Sequence, residues 1–197
     1  MGSLSSGSND YGRRARVASK EIARAGSELK NEALYAIADN LLNNKEVIKE
    51  QNLRDIQGVE SFGLSESERD RIVLTDSRID SMAQGVRQIA TLPDPVGELF
   101  DMDTRPNGMV IGKRRVPLGV ICSIFENRPN VTIDISALSL KAGNACILRG
   151  GKEAINSNRI LTRLIQEAIS RTGLSKDVVQ FVDGTDRSLV DELLEMS

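Results

Sequence analysis

The apolar positions of this chain repeat in two rhythms, and the change falls near residue 95. Before it, Leu29, Leu34, Ile37, Leu41 and Leu42, and later Met82, Val86 and Ile89, recur at three- and four-residue steps. That is the spacing of one helical face. The pattern predicts a helix over 11–25 with Val17 and Ile22 inward. A second helix starts at Ser27 as N-cap and breaks at Asn43-Asn44, and a third carries Val47, Ile48 and Ile56 and stops near Gly63. Ser65 and Glu68 form a capping box for a short turn ending near Ile72, and Asp76 or Ser77 opens a further helix. Pro93-Asp-Pro95 closes this helical part.

After it the rhythm becomes strand-like. Residues 96–102 and 109–116 read as two strands around Arg105-Pro-Asn-Gly108, with Asn107-Gly108 as the turn signal. Short apolar runs at Gly119–Phe125, Ala145–Arg149 and Val178–Val182 then alternate with helical stretches at 130–141, 153–171 and from Asp186 onward. Strands alternating with helices predict an α/β fold with a parallel sheet, in which ligands sit beyond the carboxyl ends of the strands. Residues 1–10 are Gly/Ser-rich and read as a disordered start, without the apolar core of a signal peptide.

Composition narrows the chemistry. The 197 residues carry a net charge of -2 and only 3% aromatics, without Trp, so neither nucleic acid nor a membrane surface is an expected partner. No apolar run approaches the ~20 residues of a spanning helix. Histidine is absent, which removes the commonest general base, the commonest metal ligand and every His-based triad, and no metal site is expected. The two cysteines, Cys122 and Cys146, fall inside expected buried strands. They read as inert structural thiols of a protein from the reducing cytoplasm. Lys113-Arg-Arg115, the one dense basic cluster, reads as a solvated strand, with contact to an acidic partner or a phosphate as the alternative.

Two loops carry the candidate chemistry. In Arg149-Gly-Gly-Lys-Glu153 a strand ends, two glycines permit close approach, and cations flank them at a helix start. That arrangement suits a ribose hydroxyl or a phosphate, and it equally suits an ordinary strand-to-helix turn. In Glu126-Asn-Arg-Pro-Asn130, Arg128 suits a carboxylate or phosphate, and Asn127 or Asn130 suits an oxyanion. The plainer reading makes Asn130 an N-cap and Pro129 a turn former. No Gly-x-Gly-x-x-Gly follows a strand, and Gly151-Lys152 lacks the rest of a P-loop.

Leu64-Ser-Glu66, Met82-Ala-Gln-Gly-Val-Arg-Gln-Ile89, Phe125-Glu-Asn-Arg-Pro-Asn-Val-Thr132, Ala137-Leu-Ser-Leu-Lys-Ala-Gly-Asn144 and Leu148-Arg-Gly-Gly-Lys-Glu-Ala154 go further. On these blocks the chain resembles the gamma-glutamyl phosphate reductase (glutamate-5-semialdehyde dehydrogenase) family, a branch of the aldehyde dehydrogenase superfamily. The resemblance implies N-terminal helices (11–92), a β-hairpin or oligomerisation arm (96–116) and a partial, Rossmann-like βαβ sheet (117–197). It implies NADPH-dependent reduction of L-glutamyl 5-phosphate to glutamate 5-semialdehyde in proline synthesis. In that reaction a cysteine thiol attacks the acyl phosphate and hydride then releases the aldehyde.

The same likeness assigns residues. Arg149 falls where the superfamily has a lysine on the adenosine ribose, and Lys152 near its ribose-binding acid, an exchange that favours NADP(H). Gly150, Gly151 and Glu153 complete that cofactor turn, and Gly184 matches the loop bordering the adenine. Direct counting puts Arg128 at the oxyanion-hole position, and a small shift puts Asn130 there. The family's nucleophilic cysteine and catalytic domain lie beyond this sequence, so the segment is expected to be silent alone. A homo-oligomer in the longer enzyme and glutamate 5-kinase are the partners the likeness brings. The alternative is an inactive shortened paralogue that binds a nucleotide or a partner chain.

Overall fold

A computed structural model describes residues 6–58 and 65–183 of the chain. Five helices come first: α1 (Ser6–Ile22), α2 (Ser27–Asn43), α3 (Lys45–Gly58), α4 (Glu66–Ile72) and α5 (Asp76–Thr91). A two-stranded antiparallel ribbon follows, β1 (Leu99–Thr104) and β2 (Val110–Arg114). Then come β3 (Val120–Ile124), α6 (Asn130–Lys141), β4 (Ala145–Arg149), α7 (Ile155–Arg171) and β5 (Val179–Phe181). The last three strands form one parallel sheet in the order β3-β4-β5.

Strand β4 organises the interior. Its alternating side chains serve two cores, as a strand covered on both faces must. Cys146 and Leu148 join the main cluster with Ile133, Leu140, Leu161 and Ile165 of α6 and α7. Ala145 and Ile147 join a smaller one with Ala15 of α1 and Val182. The sheet is thus covered by α6 and α7 on one side and α1 on the other, and α2 and α5 pack outside α6 and α7. Helix α6 ends at Lys141, and just beyond it Gly143, with a φ of 73°, turns the chain so that Asn144 N–H donates to Ser139 O at 2.8 Å.

A charged knot fixes the passage from helices to strands. Lys30 Nζ, wholly buried, meets Asp94 at 2.5 Å, and Asp94 also accepts Ser27 Oγ at 2.7 Å and Val96 N–H at 2.9 Å. Burial raises the Asp94 carboxyl, but the hydrogen bonds from Lys30, Ser27 and Val96 outweigh it and hold the carboxyl below its ordinary range.

Several expectations are corrected. Helix α1 begins at Ser6, so residues 6–10 are helical, and it ends at Ile22. Ser27 is the first residue of α2 instead of its cap, because its hydroxyl is committed to Asp94. Val17 is 67% exposed and Val47 also faces outward, so neither belongs to a core stripe. Cys122 is exposed, since β3 is the outer strand of its sheet. The capping box is present as expected: Ser65 N–H donates to Glu68 at 2.8 Å and Glu68 N–H to Ser65 Oγ at 3.3 Å. The Arg105–Gly108 turn closes with Gly108 N–H donating to Arg105 O at 2.8 Å. The expected stop near Gly63, the last helix from Asp186 and Gly184 lie outside the described residues.

Candidate functional site

The two candidate loops meet at the ends of β3 and β4. Phe125 N–H donates to Arg149 O at 3.0 Å, which carries the parallel pairing one step beyond the strands. Glu126 O then accepts Gly151 N–H at 3.5 Å. A Cβ on residue 151 would stand 2.7 Å from Asn127 Oδ1 and 2.6 Å from Glu153 Oε2. A Cβ on residue 150 would stand 2.2 Å from Asn158 Nδ2. The glycine pair therefore admits the neighbouring loop and a helix side chain. The close approach that the two glycines permit is already used within the protein.

The helix behind this turn has an unexpected cap. Lys152–Ala154 form a single 3-10 turn, and α7 proper starts at Ile155. Its free amides point to Asp55 of α3: Asn156 N–H donates to Oδ1 at 3.0 Å and Ser157 N–H to Oδ2 at 2.7 Å. Ser157 Oγ and Asn156 Nδ2 add bonds of 2.6 and 2.9 Å to the same carboxylate. Buried Asn52 braces the group by donating to Ser157 Oγ at 2.9 Å and to Ile72 O at 2.8 Å. An internal carboxylate thus fills the anion position at this helix start. The Asn156 and Ser157 amides are therefore not free for a cofactor phosphate. Sequence reasoning missed Asp55, because nothing near it in the chain signals a cap for a helix about a hundred residues away.

Those side chains suit an acceptor-rich ligand. Arg149 is half-buried and its Nε–H has no hydrogen-bond partner. A buried guanidinium donor without an acceptor is rare and fits a ribose or phosphate oxygen. Lys152 is exposed beside it, and Glu153 is half-buried. Gly184 lies outside the described residues.

The other loop is more open. Arg128 is exposed, and Arg128 N–H donates to Glu126 O at 3.0 Å. Pro129, with helical φ and ψ, takes the N-cap position, so Asn130 is the first residue of α6 and not its cap. Asn130 Nδ2 donates to Asp134 at 3.1 Å. Burial pushes the Asp134 carboxyl up, and the Asn130 amide partly opposes that shift. A cavity of about 300 Å³ opens between this loop and α4, lined by Glu68, Arg71, Phe125, Glu126, Asn127 and Arg128. It brings Arg71 to the same hollow as Arg128. The capping box marked α4 in the sequence, but no local pattern tells which loop that helix will face.

Neither thiol is poised for attack. Burial pushes Cys146 up to about 12, against weaker opposing bonds from Ser136 and Ser139, and the strand neighbours that partly cover the otherwise exposed Cys122 raise it too. Among the described residues no helix is long and apolar enough to cross a membrane.

Residues 8–197 match the model of the aldehyde dehydrogenase family, and the chain belongs to that family. Within it, the chain is 54% identical over 185 residues to a gamma-glutamyl phosphate reductase of Dehalococcoides mccartyi, covering 94% of this chain and 44% of that protein. It is 48% identical to the gamma-glutamyl phosphate reductase of Aquifex aeolicus, over 93% of this chain and 42% of the relative. The crystal structure of gamma-glutamyl phosphate reductase from Thermotoga maritima superposes with a TM-score of 0.92 at 38% identity, over 96% of this chain and 46% of that one. The Saccharomyces cerevisiae enzyme of the same name gives 0.87 at 33% identity, over 93% and 48%. The chain therefore spans less than half the length of these relatives.

Proposed function

We propose that this chain is the N-terminal, cofactor-binding part of an oxidoreductase that reduces L-glutamyl 5-phosphate to glutamate 5-semialdehyde with NADPH. One observation carries the reading: a gamma-glutamyl phosphate reductase shares 54% identity over 94% of the chain, a span that includes both candidate loops. The partnerless Arg149 Nε–H supports it from the geometry.

NADPH would supply hydride. Arg149 would donate to an oxygen of its ribose or 2′-phosphate, and Lys152 would add the charge that favours the phosphorylated cofactor over NAD. Asp55 keeps the start of α7 fixed, so the turn is preorganised for that ligand. On the substrate side, Arg128, facing the same hollow as Arg71, would hold an anionic group of the acyl phosphate. Asn130, from the first turn of α6, would donate to a developing oxyanion once its amide leaves Asp134. The attacking thiol would come from a further part of the enzyme, since burial raises both thiols here. A homo-oligomer, with the exposed ribbon as its arm, and glutamate 5-kinase as a neighbour in the pathway belong to the same proposal, as does a cytoplasmic location.

The test is an NADPH titration followed by melting temperature and fluorescence, beside Arg149→Ala. Saturable stabilisation by NADPH, stronger than by NADH and weakened about tenfold or more in the variant, is the expected result. Supplying the downstream part of the enzyme should then give NADPH-dependent reduction. Binding without any turnover in that mixture would favour an inactive nucleotide-binding paralogue. Absence of binding with a cooperative melt would remove the cofactor assignment.

A further inference from the structure

Asn158 is wholly buried one residue beyond the pair of amides that Asp55 caps. From that fixed base its side chain faces two ways. Its Oδ1 accepts Thr132 Oγ1 of α6 at 2.9 Å. Its Nδ2 has no hydrogen-bond partner and lies where a Cβ on residue 150 would be, 2.2 Å away. Such a clash is harmless when the neighbour is a loose side-chain end. Here the amide is held by Thr132, it has no exposed surface, and Phe125 Cε2 at 3.1 Å bounds the same space. A buried amide donor without an acceptor is costly, and a smaller apolar residue would avoid that cost.

We propose that Asn158 is a positioning residue. Its amide fills the space that only glycine leaves open and so sets the conformation of the Arg149–Lys152 turn. Through Thr132 it ties that turn to the first turns of α6, behind the Arg128–Asn130 loop. One buried side chain thereby fixes the spacing between the two halves of the site. The inference rests on reading the turn as the NADPH site.

Fluorescence titration with NADPH, with melting curves on the same samples, tests it in wild type, Gly150→Ala, Asn158→Ala, the double variant and Thr132→Val. Gly150→Ala should weaken binding about tenfold. Asn158→Ala alone should weaken binding a few-fold, because nothing then sets the turn. Adding it to Gly150→Ala should recover part of the loss, because the obstacle to the new Cβ is gone. Thr132→Val, which leaves residue 150 untouched, should weaken binding a few-fold by releasing Oδ1. A purely structural Asn158 would lower the melting temperature yet leave the affinity of the folded chain unchanged, with no recovery in the double variant. Either outcome overturns the proposal. Should Asn158→Ala not fold, Gly150→Ala and Thr132→Val decide: unchanged affinity in both overturns it. A wild-type chain that does not bind NADPH sinks both this inference and the functional reading. The expected binding pattern without reductase activity in the supplemented enzyme sinks the functional reading alone.

Discussion

Strands β3 and β4 are neighbours in one sheet, similar in length and apolar content, yet they live in different surroundings. Residues 145–148 of β4 are all buried, whereas β3 alternates between half-buried and exposed, with Ile124 at 44%. Their cysteines follow suit: Cys146 is sealed in the main core and Cys122 is exposed. The difference is one of position in the sheet. A central strand has covering helices and two partners, while an outer strand has one partner and an open edge. Apolar content alone does not distinguish them.

The largest expected contrast is chemical. A thiol reagent on the native chain should modify Cys122 directly, at a rate slowed by its raised thiol, and Cys146 only through unfolding, slower still by a factor of roughly 1,000 or more. Equal rates would mean that the two strands are equally accessible and would remove the contrast. Next in size is packing. Leu148→Ala should cost about 2–5 kcal/mol in denaturant unfolding, against less than about 1 for Ile124→Ala. Comparable losses would show that β3 is covered in solution. Smaller again, Asp55→Ala should cost about 2 kcal/mol by uncapping α7, and a loss near zero would show that water replaces the carboxylate.

The hydrophobic rhythm made the elements legible, and with them the α/β class, because each helix stripe and strand run is a local property. Boundaries moved wherever a side chain was claimed from afar. Ser27 lost its capping role to Asp94, and the start of α7 shifted to Ile155 where Asp55 reaches it. The candidate site was half legible as a place in the fold. Arg149, Gly150 and Gly151 stand where the motif placed them, but the glycines make room for Asn127 and Asn158, which no spacing rule announces. The sequence suits Asn130 to a loop donor or an N-cap, whereas in the fold it is the first residue of α6 and bonds Asp134. Arg71 reaches the same hollow through packing that joins α4 to a loop more than fifty residues on.

The Asp55 clamp also bears on the order in which the chain assembles. Its partners lie 101 and 102 positions downstream, so the bond closes only after the ribbon and two strands have been threaded between them. A contact of such long sequence separation forms late, once the loop entropy has been met by other interactions. Kinetically, then, Asp55 should act as a latch: its removal should leave the refolding rate almost untouched and speed the opening of the native state.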